Sequence, residues 1–332
     1  MNIRKNRLKI VLGGIAVCMC MACGGSDTKD YWGDTSNGGK EEPTENPNAS
    51  KPRYIWIDAA ANFPDFANSK ENIARDLALA KDAGFTDIVV DVRPTTGDVL
   101  FKTNIVDQVK FMYAWIGSNY TKVERTATWD YLQAFVDEAR KQGLRIHAAI
   151  NTFVGGNQID GGTGLLYRDQ SKAEWATQMN MQTGIVSVMN TSESTKFFNP
   201  AHPEVQTFLC DLLKDLASYD LDGIFLDRGR FLNLQTDFSE ESRKQFEEYM
   251  GGIRIQNYPD DILLPGASSL PATYPKYLTK WLEFRAKVIY DFMQKARTAV
   301  KGVKPGIKFG VYVGGWYSTY YDVGVNWAAS TY

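Results

Sequence analysis

The amino-acid sequence predicts an α/β fold built on a parallel sheet, and three observations predict it. Short apolar runs alternate along the chain with longer stretches of helical periodicity. Gly or Pro punctuates most of the changes from one to the other. The apolar runs are nearly continuous, as in strands covered by helices on both faces. The composition supplies a core for one large domain or two of average size: 332 residues, 44% hydrophobic and 23% charged.

The elements follow in order. Residues 54–58 form the first strand. A helix over 72–83 has Ser69 as its N-cap and Gly84 as its stop. The second strand, 86–93, ends at Pro94. An amphipathic helix over 129–142 closes at Gly143 and leads into the third strand, 144–151. A helix over 203–218 precedes the fourth strand, 223–227. Helices over 239–250 and 275–300 precede the fifth strand, 307–313. Five βα units fit a doubly wound sheet or a barrel. Ala59, Ala60, Ala61 and Asn62 stand where a nucleotide-binding sheet carries its glycine-rich turn, which favours a (β/α)8 TIM barrel. Eight strands close such a barrel, so the chain is expected to be truncated after about five units, since an incomplete barrel leaves a sheet edge open. A complete open five-stranded domain is the competing expectation.

The N-terminus carries a secretory signal. Arg4, Lys5, Arg7 and Lys9 precede an apolar run over 10–22 that is too short to cross a bilayer. Cys20-Met21-Ala22-Cys23-Gly24 resembles the lipobox of bacterial lipoproteins. That resemblance implies cleavage before Cys23 and acylation of its thiol with a fatty acid such as palmitate. With Gly24 rather than Asp after the cysteine, it also implies passage to the outer membrane of a Gram-negative cell. An ordinary cleaved signal peptide is the alternative. Residues 23–52 are rich in Gly, Asn, Asp, Glu, Ser, Thr and Pro and are expected to be a disordered tether. The expected organisation is therefore a signal over 1–22, a tether over 23–52 and a barrel over 53–332.

Charge and cysteine usage exclude several function classes. The net charge is −2, with no basic patch to neutralise nucleic-acid phosphates. Cys18 and Cys20 fall in the signal and Cys23 at the acylation site, which leaves Cys210 alone and no disulfide framework. Two His and no EF-hand pattern suggest no metal and no cofactor, an irregular Ca site from loop carboxylates remaining open. Aromatic residues make up 13%, which fits a large core or a surface that stacks sugar rings.

Asp58, Arg93, Asn151 and Asp227 each stand at the C-terminal end of a strand, the rim where barrels build active sites. Three blocks then resemble the glycosyl-hydrolase-like family 10 of TIM-barrel proteins, related to the alpha-amylase clan. They are Asp91-Val92-Arg93-Pro94 through Phe101, Trp129-Asp130 through Asn151, and Phe198-Asn199-Pro200 through Asp222-Gly223-Ile224-Phe225-Leu226-Asp227. The resemblance implies a barrel acting on glycosidic bonds of a carbohydrate.

Such cleavage uses two carboxyl groups flanking the bond. Asp227 is the candidate nucleophile, the role of the fourth-strand Asp in the alpha-amylase clan. Arg228 and Arg230 beside it are expected to keep it ionised and to reach substrate. Phe225 departs from the clan pattern, which has Arg two residues before that Asp. The clan places the acid after the fifth strand, where this chain has no Glu. Asp322, Asp91 and Asp58 are the nearby carboxylates, and the acid is left unassigned. Arg93, His147 and Asn151 are candidate substrate binders. Trp316 and Tyr317, with Tyr320 and Tyr321, are a candidate stacking platform or packing. The loop over 153–198 is expected to shape the cleft. The function expected is a cell-surface glycoside hydrolase acting on a poly- or oligosaccharide. The alternatives are a non-catalytic carbohydrate-binding lipoprotein on the same barrel and, third, a structural protein of the envelope.

Overall fold

A computed structural model describes residues 51–325. The expected signal over 1–22, Cys23 and nearly all of the tether lie outside the described residues. In chain order the elements are β1 (Tyr54–Ile57), α1 (Phe63–Phe66), α2 (Lys70–Asp82), β2 (Asp87–Arg93), β3 (Phe111–Ile116), β4 (Asn119–Glu124), α3 (Tyr131–Gln142), β5 (Arg145–Asn151), β6 (Val154–Asn157), α4 (Leu165–Arg168), β7 (Gln178–Met181), β8 (Gly184–Ser187), β9 (Thr195–Phe197), α5 (Pro203–Ala217), β10 (Gly223–Asp227), α6 (Glu240–Tyr249), α7 (Leu278–Val303) and β11 (Lys308–Val311). The five expected strands are β1, β2, β5, β10 and β11. They pair in that order, each parallel to its neighbours. Sequential parallel order with helices between the strands is the order of a (β/α) barrel.

Helix ends follow local chemistry. The Ser69 side chain accepts from Asn72 N at the start of α2, and Asp130 accepts from Gln133 N at the start of α3. Gly143 ends α3 in the left-handed region, at φ 65°, where a side chain would strain. Leu132, Phe135, Val136 and Ala139 form one buried stripe of α3 at helical spacing. Full burial of a side chain such as Phe135 stabilises by about 1.5–3 kcal/mol. Single substitutions along that stripe are therefore felt by the whole domain.

The strands alternate rather than being apolar on both faces, a correction to the sequence expectation. Their outward residues, Ile88, Val90 and Val92, Ile146, Ala148 and Ile150, and Ile224 and Leu226, are all buried in the core with the helices. The inward residues mix aromatic and polar side chains with valine, alanine and glycine. Pairing aligns them in layers: Trp56 with Val89, His147 and Gly223, then Asp91 with Ala149, Phe225 and Gly310. The sheet is curled. On a flat sheet β1 and β11 would stand roughly 19 Å apart, at about 4.8 Å per step. The Trp56 and Tyr312 rings are nevertheless 5.1 Å apart, and Trp56 lies 5.8 Å from Phe225 of β10.

Two connections carry structure that sequence periodicity did not foresee. β3 and β4 form an antiparallel hairpin between β2 and α3. The loop over 153–198 is built from two small antiparallel pairs, β6 with β9 and β7 with β8.

Candidate active site

The inward side chains at the C-terminal ends of the strands meet in one region. Trp56, Asp58, Asp91, Asn151, Asp227 and Arg228 line a cleft of about 140 Å³. Asp227 and Arg228 also line an adjoining cleft of about 310 Å³, with Arg230, Met293, Tyr312, Trp316 and Tyr320. The larger cleft is at the lower end of the range of small-ligand sites, and Asp227 stands on the boundary between the two.

Three carboxylates therefore share the site, and their surroundings differ. Asp58 Oδ1 accepts from the backbone N–H groups of Ala60 and Ala61, at 2.9 and 2.7 Å, so one of its oxygens caps the turn after β1. Asp91 is 8% exposed. Burial pushes its carboxyl up to about 8, and the charges of Asp58 and Asp227 add to the rise. Hydrogen bonds from backbone N–H groups, including Arg93 N at 3.1 Å, only partly oppose it. Burial also raises Asp227 above the usual carboxylate range. The Arg228 N–H donates to Asp227 Oδ1 at 2.6 Å, and the Arg228 and Arg230 guanidiniums oppose the rise without cancelling it. The two arginines act in the expected direction, toward the charged form of Asp227, but desolvation is the larger effect and the net shift is upward.

The turn after Asp227 is tight. Arg228 has φ 46°, an unusual conformation for a residue with a side chain. It directs Arg228 Nε to Asn151 Oδ1 at 2.9 Å. Asn151 Nδ2 donates to the Arg93 carbonyl at 2.9 Å and approaches Asp91 Oδ2 at 3.4 Å. Asn151 is thus held between the second and fourth strands, spacing a carboxyl from a guanidinium, rather than standing free to bind a hydroxyl. Arg230 is packed against Trp316 and Phe197, and burial, with Arg228 beside it, lowers its guanidinium to about 10.

Two expected substrate binders are elsewhere. Arg93 has no exposed surface. A register shift between Asp91 and Arg93 places Arg93 opposite Ile150, so it leaves the inward face that Asp91 occupies. Its guanidinium donates to the carbonyls of Asn151, Thr152 and Val154 and pins the chain leaving β5. His147 does face inward with Asn151, but four residues lower, about 13 Å down the strand. It is buried, with Nε2 2.8 Å from Asp87 Oδ1, and burial lowers its pKa. Both residues are structural at these positions, and neither reaches the cleft.

The remaining candidates divide. Trp316 is exposed and lines the larger cleft with the buried Tyr320. Tyr317 is exposed and packs edge-on against Tyr320, but does not line either cleft. Asp322 lies away from both clefts, its backbone carbonyl accepting from Arg285. No residue of 153–198 lines either cleft, so that loop supports the rim instead of shaping the cavity. Trp56, Tyr312 and Met293 are lining residues that sequence reasoning missed. The alternation Tyr54-x-Trp56-x-Asp58 was a signal for Trp56, because it places the ring on the face of the carboxylate. Phe225, at the clan's arginine position, joins Trp56, Tyr54 and His147 in an aromatic stack below the carboxylates.

Comparison with known proteins agrees with this architecture. An S-layer-related protein of Niallia circulans is 31% identical over 290 residues, covering 84% of this chain and 18% of its own length. Glycosyl hydrolase DigH of Escherichia coli K12 is 23% identical over 334 residues, covering 93% of this chain and 66% of its own. The chain thus spans less than two thirds of either relative. The crystal structure of a beta-galactosidase from the psychrophilic Marinomonas ef1 superposes with a TM-score of 0.51 at 12% identity, covering 81% of this chain and 38% of that one, and so shares the fold. The family model described as glycosyl hydrolase-like 10 matches residues 51–329. This chain, with its carboxylates at the strand ends of a (β/α) barrel, belongs to the glycosyl hydrolase-like 10 family.

Proposed function

We propose that this chain is a glycosidase that hydrolyses O-glycosyl bonds of an oligo- or polysaccharide at the cell surface, held in the outer membrane by a lipid on Cys23. The observation that carries the reading is the convergence of Asp91 and Asp227 on one cleft in environments that set them apart. Asp91 has two other carboxylates near it and stays protonated at neutral pH. Asp227 has two guanidiniums on its own turn. A carboxyl held to its proton by burial and two neighbouring carboxylates, beside one whose rise two guanidiniums oppose, is the kind of division that glycoside cleavage needs. In this scheme Asp91 gives its proton to the glycosidic oxygen as the bond to the anomeric carbon breaks. Asp227 supplies the electron pair, either by attack on that carbon or by taking a proton from the attacking water. Trp56 and Trp316 offer ring faces to the apolar faces of the sugars on either side of Asp227.

The test is hydrolysis of a glycan panel by the full-length protein, with Asp227→Asn as the control. Product release that disappears in the variant supports the reading, and unchanged release contradicts it. Binding in calorimetry with no product from the parent protein would show instead a carbohydrate-binding protein that retains the barrel without catalysis. The anchor is tested separately: Cys23→Ser should abolish incorporation of labelled palmitate and release the protein from the membrane fraction.

A further inference from the structure

The β3–β4 hairpin stands on the same side of the barrel as the carboxylates, because it connects the C-terminal end of β2 to α3. Its two faces differ. Met112 and Ala114 are buried against the body of the protein. The opposite face carries Phe111, Tyr113 and Trp115 on one strand and Tyr120 and Lys122 on the other. Trp115 is 68% exposed and Tyr120 55%. These rings form a continuous row: Trp115 lies 5.3 Å from Tyr120, Tyr120 5.4 Å from Tyr113, and Tyr113 6.2 Å from Phe111. A two-stranded hairpin gains most from turning large rings inward. Here Met112 and Ala114 face the core, while Phe111 and Tyr113 are half-buried and Trp115 and Tyr120 face water, the reverse of what stability asks.

The row is physically joined to the catalytic rim. Lys122 pairs with Asp160 at 2.5 Å, and Tyr113 Oη lies 3.4 Å from the same carboxylate. Asp160 belongs to the glycine-rich turn that follows β6 and has φ 55°. That segment presses on the rim from the other side: a Cβ at Gly97 would stand 3.0 Å from the backbone of Gly155 and Gly156. Gly97 comes just after Pro94 and Thr95, which line the cleft of Asp91 and Asp227. The buried backbone contact of residues 94–97 with 155–156 thus ties the cleft to the turn that holds the ring row. The rings of the row are edged by a hydroxyl, an ammonium and a carboxylate. A sugar has the matching pattern, an apolar C–H face edged by hydroxyls.

We infer that the outer face of the β3–β4 hairpin is a second carbohydrate-binding platform, on which sugar units of the same glycan stack at a distance from the bond cleaved at Asp227. This rests on the glycosidase reading for the identity of the glycan, but it is measured without turnover. Trp115 and Tyr120 provide the stacking faces. The Lys122–Asp160 pair fixes the platform against the loop that supports the rim.

Affinity electrophoresis of the full-length protein in native gels cast with xylan, amylopectin or glycol chitin tests it. The parent protein should be retarded in at least one gel. Trp115→Ala with Tyr120→Ala should weaken that retardation at least fivefold in apparent Kd, and Trp115→Phe should restore part of it. Equal mobility without polysaccharide and an equal thermal midpoint show that the variants remain folded. Retardation that ignores these substitutions, or a parent protein retarded in none of the gels, overturns the inference. A variant that changes from oligomer to monomer in sedimentation while its retardation stays unchanged also overturns it, by showing a protein interface. Retardation that depends on Trp115 in a protein that releases no product keeps the platform and removes the glycosidase reading. Hydrolysis with retardation indifferent to Trp115 does the opposite.

Discussion

Substituting Asp91 by Asn should change how stability depends on pH. The folded chain holds the Asp91 carboxyl at about 8, whereas in the unfolded chain it titrates near 4. Between those values the folded state keeps a proton that the unfolded state has released. Stability from this group is therefore fully present below about pH 4 and is lost progressively as pH rises toward 8. The slope cannot exceed about 1.4 kcal/mol per pH unit, so the ceiling at pH 7 is about 4 kcal/mol. Asp91 faces a cleft, and an effective dielectric well above that of a dry interior brings the working figure to on the order of 2 kcal/mol. Asn keeps the shape of the protonated acid. Its carbonyl can still accept from Arg93 N, and its amide cannot ionise. Asp91→Asn should match the parent protein near pH 4 and exceed it by about 2 kcal/mol at pH 7. Urea unfolding across that range measures the difference directly. Two lines that stay parallel from pH 4 to pH 7 would refute the argument, because the buried proton would then not be at Asp91.

Three other expectations come from the same geometry. Arg93→Met leaves the carbonyls of Asn151, Thr152 and Val154 without their donor, and should cost about 2–4 kcal/mol in chemical denaturation even though Arg93 does not touch the cleft. Gly223→Ala puts a methyl 2.6 Å from His147 Nδ1, buried with no partner of its own; the overpacking should cost about 1–3 kcal/mol, read as a lowered thermal midpoint. Trp316→Ala should raise KM several-fold with little change in kcat, because its ring lines the larger cleft beside Asp227 without being part of the carboxylate set; an unchanged KM would remove Trp316 from the binding surface.

Much of the fold was legible because helix caps and strand ends are local chemistry. Ser69, Asp130 and Gly143 act on their own backbone, and the five parallel strands stand close to where apolar runs and breakers placed them. The β3–β4 hairpin was also written in the sequence, as two runs on either side of Gly117 and Ser118, in a stretch between the second strand and the helix over 129–142 to which periodicity assigns no element. The site was legible at Asp58, Asn151 and Asp227, where a strand end fixes depth and face together. It was not legible at Arg93, because one irregularity of register moves a side chain to the other face of a sheet. Nor was it legible at His147, whose face was right and whose depth was not. The electrostatics of Asp227 were misjudged for a further reason. Adjacent arginines are visible in a sequence, whereas the desolvation that outweighs them is made by residues from other strands.

The division of labour between Asp91 and Asp227 is tested most directly by leaving-group dependence. Rates would be compared for Asp91→Asn and Asp227→Asn on two aryl glycosides of the sugar that the parent protein cleaves, one with a 2,4-dinitrophenyl group that departs without a proton and one with an unactivated aryl group. Loss of a general acid costs about 10²–10⁴-fold where a proton is needed. The account predicts that Asp91→Asn is slow on the unactivated glycoside and largely restored, in the bond-breaking step, on the activated one. Asp227→Asn should lose at least about 10³-fold on both. An Asp227→Asn protein that turns over either glycoside within tenfold of the parent rate would contradict the account at its centre.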